Sequence, residues 1–319
     1  MTLFLIIGCN NGGGKIEKRN EFLTSIANLG KGFLDVFVIF GDMITGAFGI
    51  KAETKKSDVG QYFTDIAETM ESVKKKLQSE VAKNGNYEKV KTVVEQFVTG
   101  TLDNIAAGAK EAAKGATGED KIGGAPTAGQ DAAPADAASV NALVKGIKTI
   151  VGVVLNDNEG NAEATKTGDD KKDIGKLFEK KDSGTEAEAA KANASIGAVT
   201  GADILKAISK SSETADNSKN IEEAKDAASI ASAKKEDNQK EIKDEAKKDA
   251  VIAAGIALRA MAKDGKFAAK SNEEKSAHAV NGVAASAVDK TLSTLIIAIR
   301  NTVDSGLRTI NEALATVKQ

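Results

Sequence analysis

The stretch "VDKTLSTLIIAIRNTVDSGLRTINEALATV", residues 288–317, decides the fold class. Its apolar residues Val288, Leu292, Leu295, Ile299, Val303, Leu307, Ile310, Leu314 and Val317 recur at steps of three and four. A helix gathers residues so spaced along one side, whereas a strand would need alternation at every second position. The stripe predicts a continuous helix on the order of 45 Å long, at 1.5 Å per residue.

Two further stripes repeat the pattern. Phe22, Ile26, Leu29, Phe33, Val36, Phe40 and Met43 form one, with Asn20 placed as an N-cap. Val59, Phe63, Ile66, Met70, Val73, Leu77 and Val81 form the next, ending at "NGN", residues 84–86. A shorter one runs through Tyr87, Val90, Val94, Phe97 and Ile105. Composition agrees: aromatics are 4% of the 319 residues, Trp is absent, and the two prolines, Pro126 and Pro134, share one Ala/Gly-rich patch. A small-residue core without internal prolines favours helices over sheets, and the expected fold is all-α.

The middle of the chain differs. Residues 113–139, 156–173 and 182–195 are polar, Gly/Ala-rich stretches that read as loops, with short helices expected between them over 140–155 and 196–208. The expected organisation is a base of long helices from residues 21–112 and 245–319 carrying a distal, loop-rich region, 113–244. In this arrangement residues 21–44 pair antiparallel with 288–317, so that both ends of the base lie together. The seams suit a homodimer as well as an intramolecular bundle.

The start, "MTLFLIIGC", places the single cysteine, Cys9, after an unbroken apolar run. Ile6-Ile7-Gly8-Cys9 matches the pattern read by bacterial lipoprotein signal peptidase: aliphatic residues, a small residue, and a thiol to take up diacylglycerol. Residues 1–8 then read as the remnant of a signal. Residues 9–20, with "NNGGGK" at 10–15, read as lipid anchor and flexible tether. Each buried CH₂ contributes about 0.8 kcal/mol, so two or three acyl chains on Cys9 hold firmly to a membrane. No basic residue precedes the apolar run, so the genuine start is expected upstream of Met1.

Chemistry is sparse. The 44 basic and 46 acidic residues are intermixed, leaving a net charge of -2 and no footprint for nucleic acid. The sole histidine, His278, has no cysteine or second histidine near it in "EEKSAHAVNG". With Cys9 lipidated, no Cys/His nucleophile pair exists and ordinary zinc sites are excluded. Asp157-Asn158-Glu159-Gly160 begins like a calcium loop but lacks the later ligand positions. No catalytic residue, cofactor or metal site is expected, and an enzyme is not.

Residues 248–270, "KDAVIAAGIALRAMAKDGKFAAK", read as an Ala-rich helix whose apolar face holds Ile252, Ile256, the stem of Arg259 and Met261, closed by a turn at Asp264-Gly265. Within them "IALRAMAKDGKFA" closely resembles the constant segment of the spirochaetal variable large protein family and the related Vls variable surface lipoprotein. "VFVIFGDMITGAFGIKAETKKSDVGQYF" at 36–63 and "VDKTLSTLIIAIRNTVDSGL" at 288–307 extend the likeness. The resemblance implies a helical outer-membrane lipoprotein, lipidated on Cys9 and exposed at the cell surface. It further implies an antigen that serves antigenic variation and immune evasion, with host antibodies as its partners. The alternative is an adhesin whose distal face captures a host protein or glycan. That binding is expected to be weak or salt-dependent, because the distal half is poor in Tyr, Trp and Arg.

Overall fold

The computed structural model describes residues 49–83, 88–238 and 240–317. Cys9, the tether and the 21–44 stripe with its antiparallel pairing lie outside these residues, as do Tyr87 and the 84–86 turn. Among the described residues the fold is all-α, with only isolated β-bridges between extended segments.

The expected stripes become helices. Helix α1, Lys56–Lys83, buries Val59, Phe63, Ile66, Met70, Val73 and Leu77. Helix α2, Glu88–Phe97, runs through a π-helical turn, Val98–Leu102, into α3, Asp103–Gly115. The π-turn explains the odd eight-residue step from Phe97 to Ile105 in the sequence. Its wider turn shifts the apolar register, so Val98, Leu102 and Ile105 continue the buried face. Helix α4, Ala137–Val154, starts at Asp136, whose side chain accepts from Ser139 N, and packs along α3. Residues 113–115 and 137–139 are thus helical ends rather than loop.

Four more helices follow: α5 Glu186–Ala198, α6 Gly201–Lys210, α7 Ala227–Ser232 and α8 Asp249–Met261, after a 3₁₀ segment at Asp169–Phe178. Two expectations are corrected here. Residues 186–195 belong to a helix, because Thr185 and Glu188 close a capping box over a run of alanines. The expected helix over 196–208 is broken at Val199-Thr200, where a second capping box, Thr200 with Asp203, starts α6. Thr185→Ala is expected to cost about 1 kcal/mol, read by chemical denaturation, since it leaves first-turn amides of α5 without an acceptor.

Helix α9, Glu274–Val317, is 44 residues long and begins well before the stripe that announced it. Its first turns bury Ala277, Val280, Val283, Ala284 and Ala287. Alanine carries the stripe there, which conceals it in the sequence. Farther on, Leu292, Leu295, Ile299, Val303, Leu307, Ile310 and Leu314 are buried, each worth about 1.5–3 kcal/mol over exposure. Helix α9 packs against α2, α4, α5, α6 and α8. Buried residues from 113–244 join those of the flanking segments in one hydrophobic core.

Helix α8 lies at the centre of that core. All of its residues from Asp249 to Met261 are buried, so the expected single apolar face is in fact a helix enclosed on every side.

Candidate functional site

Lys56, Arg259 and Lys290, in or beside the core, sit on the C-terminal carbonyls of helices. Lys56, at the start of α1, donates from Nζ to the carbonyls of Arg259 (3.1 Å), Ala260 (2.7 Å) and Ala262 (2.7 Å). These are the last-turn carbonyls of α8, which carry the negative end of its dipole. Burial pushes the Lys56 ammonium down to about 7; the Asp120 and Asp264 carboxylates pull it back up, while the Arg259 and Lys266 charges push it further down. Arg259 treats α7 in the same way: Nη1 donates to the carbonyls of Ala231 (3.2 Å) and Ala233 (2.9 Å). Lys290 of α9 donates to Ile196 O, at 2.8 Å, in the last turn of α5.

The hallmark "IALRAMAKDGKFA" becomes legible through Arg259. Its side chain is fully buried rather than snorkelling along its stem. Nε donates to Lys266 O at 2.9 Å, and the guanidinium lies over the Phe178 ring at 4.9 Å and the Phe267 ring at 6.0 Å. The chain reverses at Asp264 with φ 65, and a Cβ on Gly265 would stand 2.2 Å from Arg259 O. Burial lowers the guanidinium to about 9, opposed by the Glu179 carboxylate. Arginine, turn, glycine and phenylalanine in this segment therefore form one local device.

Around this core the loops are held mainly by their backbones. Asp249, buried at the start of α8, accepts from Lys166 N (2.6 Å), Thr167 N (2.8 Å) and Thr167 Oγ1 (2.6 Å). Asp203 accepts from Asn161 N at 2.6 Å, and Asn141 Oδ1 accepts from Ala215 N at 2.7 Å. Asn217 donates to the carbonyls of Ala135 and Ser232, while Asn281 pairs with both backbone groups of Ala125. Any residue but proline supplies such an N–H, and every residue supplies such a carbonyl. Meanwhile Asp157, Asn158, Lys166, Asp237 and Asn238 are exposed, as are Glu213, Lys243 and Asp244, which form surface ion pairs with Lys148, Glu222 and Lys247, and Thr214, which hydrogen-bonds Ser212.

Burial works against the charge on Asp249, but its hydrogen bonds prevail and hold the carboxyl down at about 2. A depressed carboxyl stabilises the fold above its ordinary range, near pH 4, and that contribution is lost as pH falls toward 2. Asp249→Asn is expected to remove this acid-sensitive component and to cost about 1–3 kcal/mol at neutral pH. Urea midpoints between pH 2 and 7 check both.

His278 is exposed, its Nε2 3.3 Å from Glu274 Oε1 one turn away. Glu159 closes its own turn by accepting from Asn156 N and Nδ2. Among the described residues no group of three or more His, Cys, Asp or Glu is placed to hold a metal. The open groove of about 800 Å³ beside α9 is rimmed by Thr101, Thr294, Asn301, Thr302 and Thr309, with the Glu159 carboxylate at its edge. The polar staples escaped sequence reading because their partners lie far apart in the chain. The capping box at Thr200 was visible as T-x-x-D.

A family model described as Borrelia lipoprotein matches residues 33–314. The chain is 68% identical over 326 residues to Variable large protein 4 of Borrelia hermsii, covering 100% of this chain and 92% of that protein. It is 65% identical over 325 residues to Variable large protein 17 of the same organism, covering 100% and 91%. The crystal structure of the Lyme disease variable surface antigen VlsE of Borrelia burgdorferi superposes with a TM-score of 0.79. The alignment is 38% identical and covers 92% of this chain and 99% of that one.

Proposed function

Because the chain belongs to the Borrelia lipoprotein family, we propose that it is an outer-membrane antigen anchored through acylated Cys9, whose loops in 113–244 are the face that changes between variants. The family is one of lipoproteins rather than enzymes, and the relatives named above are variable proteins and a surface antigen. The observation that carries the reading is the backbone tethering of the loops. Asp249, Asp203, Asn141, Asn217 and Asn281 grip main-chain atoms, while neighbouring loop residues such as Asp157, Asn158, Lys166 and Glu213 expose their side chains.

Such an arrangement separates what antibodies contact from what holds the fold. Exposed substitutions away from packed positions change stability by within about 0.5 kcal/mol, so the outer surface can drift while the core stays fixed. Antibodies raised against one surface then lose their contacts on the next, which is antigenic variation achieved without refolding.

Two measurements on protein from native cells test this. The N-terminal peptide extracted from membranes is expected to begin at Cys9 and to carry acyl mass. Protease added to intact cells is expected to cut within 156–168 or 212–226. An unmodified Cys9 thiol, or full protection of both loops on intact cells, overturns the proposal.

A further inference from the structure

Among the described residues, Glu179 is the buried core carboxylate whose hydrogen bonding is incomplete in a way that bears on a surface segment. It follows the 3₁₀ helix and is wholly buried. Oε2 accepts from Glu236 N at 2.5 Å, while Oε1, equally buried, has no hydrogen-bond partner. The backbone of the segment it grips is also tied down by Lys234 N on Lys219 O and by Ile242 N on Lys172 O. Between those two points Glu179 holds the main chain at Glu236, while surface ion pairs join Lys235 to Asp131, Lys240 to Glu222 and Glu241 to Lys172.

We propose that Glu179 is a pH-sensitive latch: in its neutral form it holds the segment around Glu236 closed, and on ionisation it favours the opened segment, in which water reaches both carboxylate oxygens. A buried carboxylate with an unmet acceptor is costly, and opening removes that cost. The charged groups facing Glu179 are the Glu236 carboxylate and the Lys235 and Lys240 ammonium groups from the segment itself, and the Arg259 guanidinium from α8. Arg259 does not hydrogen-bond it: Nε and Nη1 donate to Lys266 O and the carbonyls of α7, and the buried Nη2 has no partner. Burial, aided by the Glu236 charge, raises the carboxyl to about 7, against the pull of the Glu236 amide, Arg259 and Lys240.

The sign follows from linkage. The closed form holds the proton more tightly than the opened form, so opening is promoted as pH rises from the ordinary glutamate range to neutrality and levels off above it. The test is hydrogen exchange of the Glu236 amide in the full chain, read by NMR and corrected for the intrinsic pH dependence of exchange. The corrected rate is expected to rise by roughly tenfold or more between pH 5.5 and 7.5. In Glu179→Gln it is expected to be flat, since the amide oxygen still accepts from Glu236 N but does not ionise. A flat rate in the parent chain, or an unchanged slope in Glu179→Gln, overturns the proposal. Should the variant fail to fold, a ¹³C titration of the Glu179 carboxyl in the parent decides: a raised midpoint supports the latch, and an ordinary glutamate midpoint overturns it.

Discussion

Arg259→Met is expected to lower the free energy of unfolding by about 3–5 kcal/mol, the range seen when one partner of a buried charged network is removed. Methionine fills much of the volume and keeps contact with Phe178 and Phe267, so lost packing is a small part of the effect. What remains is the last turn of α7, whose carbonyls at Ala231 and Ala233 lose their donor inside the core. The carbonyl of Lys266 loses its donor as well, which loosens the turn at Asp264-Gly265. Each buried acceptor left unmade costs about 1–3 kcal/mol. Arg259→Lys is expected to rescue little, because an ammonium has no planar fork to reach the α7 carbonyls and Lys266 O together. Denaturant titration followed by far-UV circular dichroism reads all three chains.

The second large effect is expected where α3 and α4 meet backbone to backbone. A Cβ on Gly146 would stand 2.4 Å from both Gly108 O and Ala112 N, and one on Gly108 would stand 2.7 Å from Gly146 O. Main-chain atoms inside helices have nowhere to retreat, so Gly146→Leu forces the pair apart. Overpacking of this kind costs about 1–3 kcal/mol, and the backbone contacts put Gly146→Leu at the upper end. At Gly152, on the same helix, an added Cβ would meet nothing within 4 Å. Gly152→Ala is expected to raise stability by about 0.5–1 kcal/mol through helix propensity alone. Opposite signs from two glycines of one helix separate close approach from a general intolerance of substitution.

Much of this fold can be read from spacing. The α1 stripe from Val59 to Leu77 and the second half of α9 carry large apolar residues at helical intervals, and both are buried as the spacing requires. Alanine defeats the same reading. It made 186–195 look like a loop and hid the first turns of α9, because a methyl group fits a surface and a tight core equally well. Helix α8 fails for a related reason: with every side buried, no amphipathic contrast marks its faces. The staples are illegible in principle, since Lys56 meets the end of α8 some two hundred residues later. The resemblance supplied by "IALRAMAKDGKFA" agrees with the family match, and the structure gives that motif a physical role at the end of α7.

Backbone tethers, rather than loop side chains, hold the outer surface in place. The sharpest check exchanges Asp157, Asn158, Lys166, Glu213, Thr214, Asp237, Asn238, Lys243 and Asp244 together for serine and measures the free energy of unfolding. The substituted chain is expected to stay within about 1 kcal/mol of its parent, since each site is exposed, its backbone contacts survive, and the surface ion pairs lost to Lys148, Glu222 and Lys247 are each worth little. A loss of about 3 kcal/mol or more, as large as that expected for Arg259→Met, would mean that the loop side chains, not the tethers, carry the outer surface.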